Sequence, residues 1–257
     1  MSSIPRGCND AEFTLSHPIT DEDSFGRALW SCYRSKATDH IIEREDGHVI
    51  CGSTPFYFTD YSTWPACEKR ALRFVRGRIL DVGCGAGRVT LYLQRKGFDV
   101  AGIDSSRSAI RVCRKRGVKH ALVGAIEDLP QFLINPVDTI LLLGGGFGLL
   151  GDEHRARCVF RALSSITSAK AVVIASSRTP YFDDGLIDAE YRRRNRAEGR
   201  MPGQLRLRVR FRRYASPWFN FLLVSRREMK SILAGTSWEV RKFLTGEGEY
   251  FGILGKR

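Results

Sequence analysis

Arg78-Ile79-Leu80-Asp81-Val82-Gly83-Cys84-Gly85-Ala86-Gly87-Arg88 is the stretch that decides the fold. An apolar segment, Gly77 to Val82, runs into three alternating glycines and then an amphipathic helical pattern. That is the strand, tight turn and helix arrangement that brings backbone N–H groups to a ligand. A dinucleotide fingerprint would need glycines at 83, 85 and 88, whereas position 88 is arginine and the third glycine falls at 87. The spacing speaks against a dinucleotide. Asp81, at the end of the strand, would repel a pyrophosphate and suits a ligand that carries an ammonium group. The next apolar segment, Phe98 to Ile103, ends on Asp104, at the distance where an acidic side chain can take both hydroxyls of a ribose. The two carboxylates together describe a nucleoside that bears an amino acid.

These residues resemble the class I S-adenosylmethionine-dependent methyltransferases. Ile79 to Gly87 is similar to the first motif of that family, Asp104 stands at its acidic second motif, and Gly124-Ala125-Ile126-Glu127-Asp128-Leu129-Pro130 at its third. The resemblance covers residues 60–180 and 226–257. It implies S-adenosyl-L-methionine (SAM) as cofactor and S-adenosyl-L-homocysteine (SAH) as its product. It further implies that Asp81 and the amides of Gly83, Cys84, Gly85 and Gly87 hold the methionine end, that Asp104 and Ser105 hold the ribose, and that Ala125, Ile126 and Glu127 border the adenine. Leu143 and Gly144, at the end of the fourth strand, complete the expected cofactor set. Many relatives carry Asp where this chain has Ala125, so that side chain offers no bond to the adenine amino group. In similar enzymes a tyrosine some twenty residues before the first motif helps to cover the cofactor. Tyr61 holds that place here, with Tyr57 and Trp64 read as packing.

The bulk properties bound the rest. The 257 residues suit one large α/β domain with embellishments, and at 43% hydrophobic the chain can bury a real core. A net charge of +13 admits anionic partners, whether nucleic acid, a phosphorylated metabolite or an acidic surface. The seven cysteines, at 8, 32, 51, 67, 84, 113 and 158, form no C-x-x-C pair and predict free thiols rather than disulfides or zinc. The five histidines, at 17, 40, 48, 120 and 154, lack metal-ligand spacing, so no metal is expected. No apolar N-terminal run resembles a signal peptide, and Ile140 to Leu150 is too short and too glycine-rich to span a bilayer. The sequence therefore predicts a cytoplasmic protein without membrane contact.

From Arg78 onward strand and helix alternate. The pattern predicts strands at 78–82, 98–103, 119–124, 137–143 and 170–176, helices near 87–96, 106–116 and 152–167, and a closing helix (226–234) with two strands (237–244 and 249–255). Short, nearly continuous apolar strands between helices imply a mostly parallel sheet covered on both faces. The expected fold is thus three-layer α-β-α and Rossmann-like, with seven strands. An N-terminal helical cap is expected over 1–70, with a helix starting after Thr20-Asp21-Glu22-Asp23 and a hairpin turn at Asp46-Gly47. The SAM-binding core is expected over 71–257. Within it, 181–225 reads as an insertion containing a helix and a β-hairpin. In that hairpin Leu205, Leu207, Val209 and Phe211 alternate with Arg206, Arg208, Arg210 and Arg212, one buried face and one stripe of guanidinium groups, and the chain turns at Ala215-Ser216-Pro217.

Methyl transfer from a sulfonium starts from an activated donor, so aligning and desolvating the acceptor is the main task, and a general base is needed only if the acceptor still holds its proton. Candidates for such a base are His154, Tyr181, Asp183 and Asp184. After the fourth strand, Gly144-Gly145-Gly146-Phe147-Gly148 stands where methyltransferases acting on exocyclic base amines commonly carry Asn/Asp-Pro-Pro-aromatic. Its absence favours a small-molecule acceptor, as in specialised metabolism. An RNA acceptor gripped by the arginine stripe, a non-catalytic basic binding module and a homodimer contact at the hairpin remain as alternatives.

Overall fold

The computed structural model describes residues 22–35, 39–126, 129, 136–181 and 187–257. The first of these form helix α1 (Ser24–Ser35), followed by an antiparallel hairpin, β1 (His40–Arg44) and β2 (Val49–Gly52), which turns at Asp46-Gly47. Asp23 fixes the start of α1 by accepting from Gly26 N at 3.1 Å, and its other oxygen accepts from Ser108 N, also at 3.1 Å. Two 3₁₀ turns, Thr54–Phe58 and Tyr61–Thr63, lead to the short helix α2 (Ala66–Ala71). A 3₁₀ turn, Leu72–Phe74, follows α2 directly and leads towards the first core strand.

The core then follows in the expected alternation: β3 (Ile79–Val82), α3 (Arg88–Arg95), β4 (Val100–Asp104), α4 (Arg107–Lys115), β5 (Ala121–Val123), β6 (Val137–Leu142), α5 (Glu153–Ser165) and β7 (Thr167–Ser177). The insertion contributes α6 (Ala189–Ala197) and the strands β8 (Gln204–Phe211), β9 (Tyr214–Ala215) and β10 (Phe219–Leu222). Helix α7 (Arg226–Leu233) and strands β11 (Trp238–Thr245) and β12 (Tyr250–Lys256) close the chain. The large sheet has seven strands in the order β11-β12-β7-β6-β3-β4-β5. Strands β3 to β7 run parallel, while β12 pairs antiparallel with β7 and β11 antiparallel with β12.

Alternation along each strand divides the core. Leu80 and Val82 face the layer of α5 and α7, where Phe147, Phe160 and Trp238 fill the interior and Trp238 Nε1 donates to Phe160 O at 2.9 Å. Ile79 faces the layer of α2 and α3, packing with Val89, Leu93 and Phe251. Leu91 of α3 joins Ile110 and Cys113 of α4 on that same side. Each large aliphatic or aromatic side chain so buried contributes about 1.5–3 kcal/mol. Among the described residues no helix is long and apolar enough to cross a membrane.

Residues 40–52 and 204–222, read separately as cap and insertion, form one antiparallel sheet, β10-β8-β1-β2 with β9 beside β8. Ile42 pairs with Val209 and Glu43 with Arg208. The described part of the N-terminal segment, residues 22–35 and 39–70, is therefore part helix and part sheet rather than a helical cap, because β1 is the neighbour that β8 needs to complete its hydrogen bonding. Helix α6 is tied to the same unit: Arg44 Nη2 donates to Asp188 Oδ2 at 2.8 Å and Tyr191 Oη to Glu45 Oε1 at 2.9 Å. The hairpin reverses at Arg212-Arg213, with Phe211 opposite Tyr214, and not at Ala215-Ser216-Pro217. Arg212 has φ 54°, the left-handed turn conformation that glycine or asparagine usually signals. It therefore lies in the turn, outside the arginine stripe of β8.

Candidate functional site

The sequence bends sharply where β3 meets α3. Gly83, Gly85 and Gly87 have φ of 70°, 56° and 74°, so each sits where an L side chain is strained. Space gives a second reason at the third position: a Cβ on Gly87 would lie 2.8 Å from Val118 Cγ2 and 3.0 Å from Cys113 Sγ. The turn is pinned from below, with Gly83 N and Cys84 N both donating to Ile103 O (2.8 and 3.1 Å), Gly85 N to Asp104 Oδ2 (2.9 Å) and Gly87 N to Cys84 O (2.8 Å). The expected cradle of free amides is therefore not what these glycines provide. Their N–H groups are used within the chain, and what the turn offers a ligand is close approach to its backbone.

Two carboxylates flank the turn. Asp81 is buried at the end of β3, accepts from Thr90 Oγ1 at 2.6 Å, and is pushed up to about 6 by burial, against the pull of Thr90 and Arg88. Asp104, buried at the end of β4, is likewise raised to about 6 by burial. Its Oδ1 accepts from Ser106 N and its Oδ2 from Gly85 N, each at 2.9 Å. Each oxygen keeps a second lone pair free for a hydroxyl donor. Cys84 packs as an apolar group 3.9 Å from Cys113 Sγ; that contact and burial hold its thiol well above the usual range.

Asp81, Asp104, Ala125, Ile126, Leu143 and Gly144 stand at the same end of the sheet, since each ends or follows one of the parallel strands β3, β4, β5 and β6. Ser105 is exposed beside Asp104, Ala125 is half-buried and Ile126 buried. Gly144 is exposed with φ 62° and open space around it. Glu127, Asp183 and Asp184 lie outside the described residues.

The aromatic lead-in differs from expectation. Tyr61 is stacked on Tyr92 of α3, centroids 4.2 Å apart, with Trp64 edge-on, so its ring is engaged along the flank of the helix. Tyr57 is the tyrosine at the turn: a Cβ on Gly85 would lie 3.4 Å from its Cδ1, and burial together with the Asp104 carboxylate raises its hydroxyl. Beside it, Arg88 lies between the rings of Phe56 and Trp64, at 4.4 and 4.2 Å, and its Nη2 donates to the buried Glu68 Oε1 at 2.5 Å. The clue to Arg88 was its position directly after the third glycine; nothing local marked Glu68.

Of the candidate bases, His154 and Tyr181 are among the described residues, and each is engaged elsewhere. His154 is exposed on α5, its Nε2 4.0 Å from Cys158 Sγ one turn on. Tyr181 is 46% exposed and donates to Glu228 Oε1 at 2.7 Å, the same side chain that closes the capping box of α7 with Ser225. That bond ties it to the end of α7, and burial together with Glu228 raises its hydroxyl.

Comparison with known proteins agrees with this geometry. Residues 79–168 match the family described as "Methyltransferase domain". A SAM-dependent methyltransferase from Bacteroides fragilis, solved with SAH, superposes with TM-score 0.78 at 23% identity, over 93% of this chain and 97% of that one. The 23S rRNA (uracil(747)-C(5))-methyltransferase of Pyrococcus abyssi is 30% identical over 89 residues, 34% of this chain and 22% of the relative. The ubiquinone biosynthesis O-methyltransferase of Xylella fastidiosa is 38% identical over 68 residues, 24% of this chain and 28% of the relative. The chain thus spans roughly a quarter of the length of these two curated relatives. Residues 79–168 thus match a methyltransferase domain, and the glycine turn with the seven-stranded sheet gives the chain the Rossmann-like fold of SAM-dependent methyltransferases.

Proposed function

We propose that the chain transfers a methyl group from SAM to a small-molecule acceptor. The observation that carries the cofactor half is the pair of buried carboxylates on either side of the glycine turn. Burial raises both, and a ligand placing an ammonium by Asp81 and ribose hydroxyls by Asp104 would return to each carboxylate the partners that folding removed. When bound, SAM supplies an activated methyl on sulfur. Asp81 orients the amino acid end, Asp104 the ribose, Tyr57 covers the turn, and Ala125 and Ile126 border the base.

The acceptor half rests on the small sheet. Strand β10 lies against the loop after β6, with Phe221 3.5 Å from a Cβ position on Gly145, and on this reading that unit roofs the strand ends where an acceptor enters. A roofed entrance suits a small molecule that can be enclosed and dried. The arginine stripe gives the RNA reading little support. Arg208 is bonded through two nitrogens to Glu43 at 2.9 Å each, Arg210 reaches the same carboxylate at 3.3 Å, and Arg208 also lies over Trp218. No residue is assigned as an obligatory base.

Calorimetry tests the cofactor half: wild type binds SAH, and Asp81→Ala and Asp104→Ala each lose about tenfold or more, as expected for removing a hydrogen bond to a charged group. Unchanged affinity in both variants would refute the assignment. Incubation with methyl-labelled SAM and fractionated cell extract tests the acceptor half. Label in small molecules supports it, label in RNA replaces it, and label nowhere favours a binding module.

A further inference from the structure

Arg116, directly after α4, joins two segments that the sequence keeps well apart. Its Nη1 donates to Ala86 O, inside the glycine turn, at 2.6 Å and to Tyr57 O at 3.3 Å. Its guanidinium also lies 4.9 Å from the centre of the Phe58 ring. Ala86 is wholly buried, and the ring of Tyr57 lies across Gly85. On the other flank of the turn Arg88 holds Phe56 and Trp64 against α3. The aromatic segment is thus fastened on both sides by arginine, and Arg116 makes its attachment to the backbone of the turn itself.

We propose that Arg116 is a positioning residue that holds Tyr57 over the glycine turn and thereby sets how long the cofactor stays bound. This rests on the reading that the turn binds SAM. The bonds bear on the cofactor because Arg116 fixes the Tyr57 main chain relative to the turn rather than touching the ligand. With the staple in place the covering segment is ordered before the ligand arrives. Without it that segment must be ordered at each binding event, which lowers affinity, and the ligand escapes sooner. A guanidinium suits the task, because both bonds leave Nη1, whose two N–H groups are held in one fixed plane, whereas the donors of an ammonium rotate freely.

Stopped-flow measurement of SAH binding tests this. Arg116→Met keeps the apolar stem and removes the donors. Its SAH dissociation rate should rise about ten- to a hundredfold, the range for charge-assisted hydrogen bonds, with association changed far less. Arg116→Lys should fall between it and wild type. Tyr57→Leu should speed dissociation as Arg116→Met does, and the double variant should be no faster than the faster single one, because both changes break one unit. A merely structural arginine would lower the melting midpoint of the unliganded protein and leave the dissociation rate alone. If Arg116→Met does not fold, Arg116→Lys and Tyr57→Leu carry the same expectation. Wild type that fails to bind SAH overturns the cofactor reading and the staple with it. Wild type that binds SAH, with an unchanged dissociation rate in these variants or with additive effects in the double one, overturns the staple alone.

Discussion

Burial of the Asp81 carboxyl weakens the fold, a cost that the proposed ligand would offset. This carboxyl, like that of Asp104, is raised by burial from 3.8 to about 6. Between those values the folded chain holds a proton that the unfolded chain has released, so the linked stability is whole below about pH 4 and is lost as pH rises through 6. The shift corresponds to about 3 kcal/mol for each group, taken singly. Asp81→Asn keeps the size of the side chain and its contact with Thr90 without the charge. The unliganded variant should therefore be more stable than wild type at pH 8, by about 1–3 kcal/mol, with the difference vanishing towards pH 4. Chemical denaturation at the two pH values checks this, and a pH-independent difference would contradict it. The same variant should bind SAH more weakly at pH 8, because an amide cannot pair with the ammonium. Wild type should gain SAH affinity as pH rises from 5 to 7 and both carboxyls ionise.

At the scale of elements, the contact between the small sheet and the loop after β6 carries the clearest expectation. A Cβ on Gly148 would lie 2.3–2.6 Å from the far end of the Phe221 ring. Gly148→Ala should push that ring off the loop and cost about 1–3 kcal/mol in the denaturation midpoint, as overpacking does. Adding Phe221→Leu should recover part of the loss; equal effects of Phe221→Leu in both backgrounds would show that the two elements are independent. The large sheet was legible in the sequence because each strand is a short apolar run closed by a loop, and Gly83, Gly85 and Gly87 with the two aspartates mark the end of the sheet where the cofactor is proposed to bind. The small sheet was half legible. Alternation revealed β8 and Asp46-Gly47 revealed the β1–β2 turn, but the pairing of Glu43 with Arg208 joins segments 165 residues apart and leaves no local pattern. Tyr57 and Tyr61 could not be told apart for a similar reason: two successive 3₁₀ turns decide which ring faces Gly85, and aromatic composition says nothing of that rotation. Nor could the sequence reveal that the amides of the turn are consumed by Ile103 and Asp104, since any glycine turn promises them equally.

On the scale of the whole molecule, the net charge of +13 asks whether the chain meets a polyanion. Charge alone attracts any phosphate backbone, but a true RNA acceptor would need cations free to displace counterions along a track. On β8 the structure removes part of that supply: Glu43, directly across from Arg208, takes both Arg208 and Arg210, while Arg212 has left the stripe for the turn. Arg206 alone of the four stays on the strand, exposed, without an ion pair among the described residues. Binding to a generic RNA should therefore be weak, with a small slope of log affinity against log salt. A quadruple Arg→Gln protein at 206, 208, 210 and 212 should change that slope by less than about one unit, the size of a single phosphate contact. SAH affinity should be the same in both proteins, since none of the four residues contacts the glycine turn among the described residues. Filter binding from low to physiological salt measures the slope. A steep slope for wild type that the quadruple variant abolishes would mean that RNA outcompetes Glu43 for these guanidinium groups, and the acceptor would then be sought among RNAs.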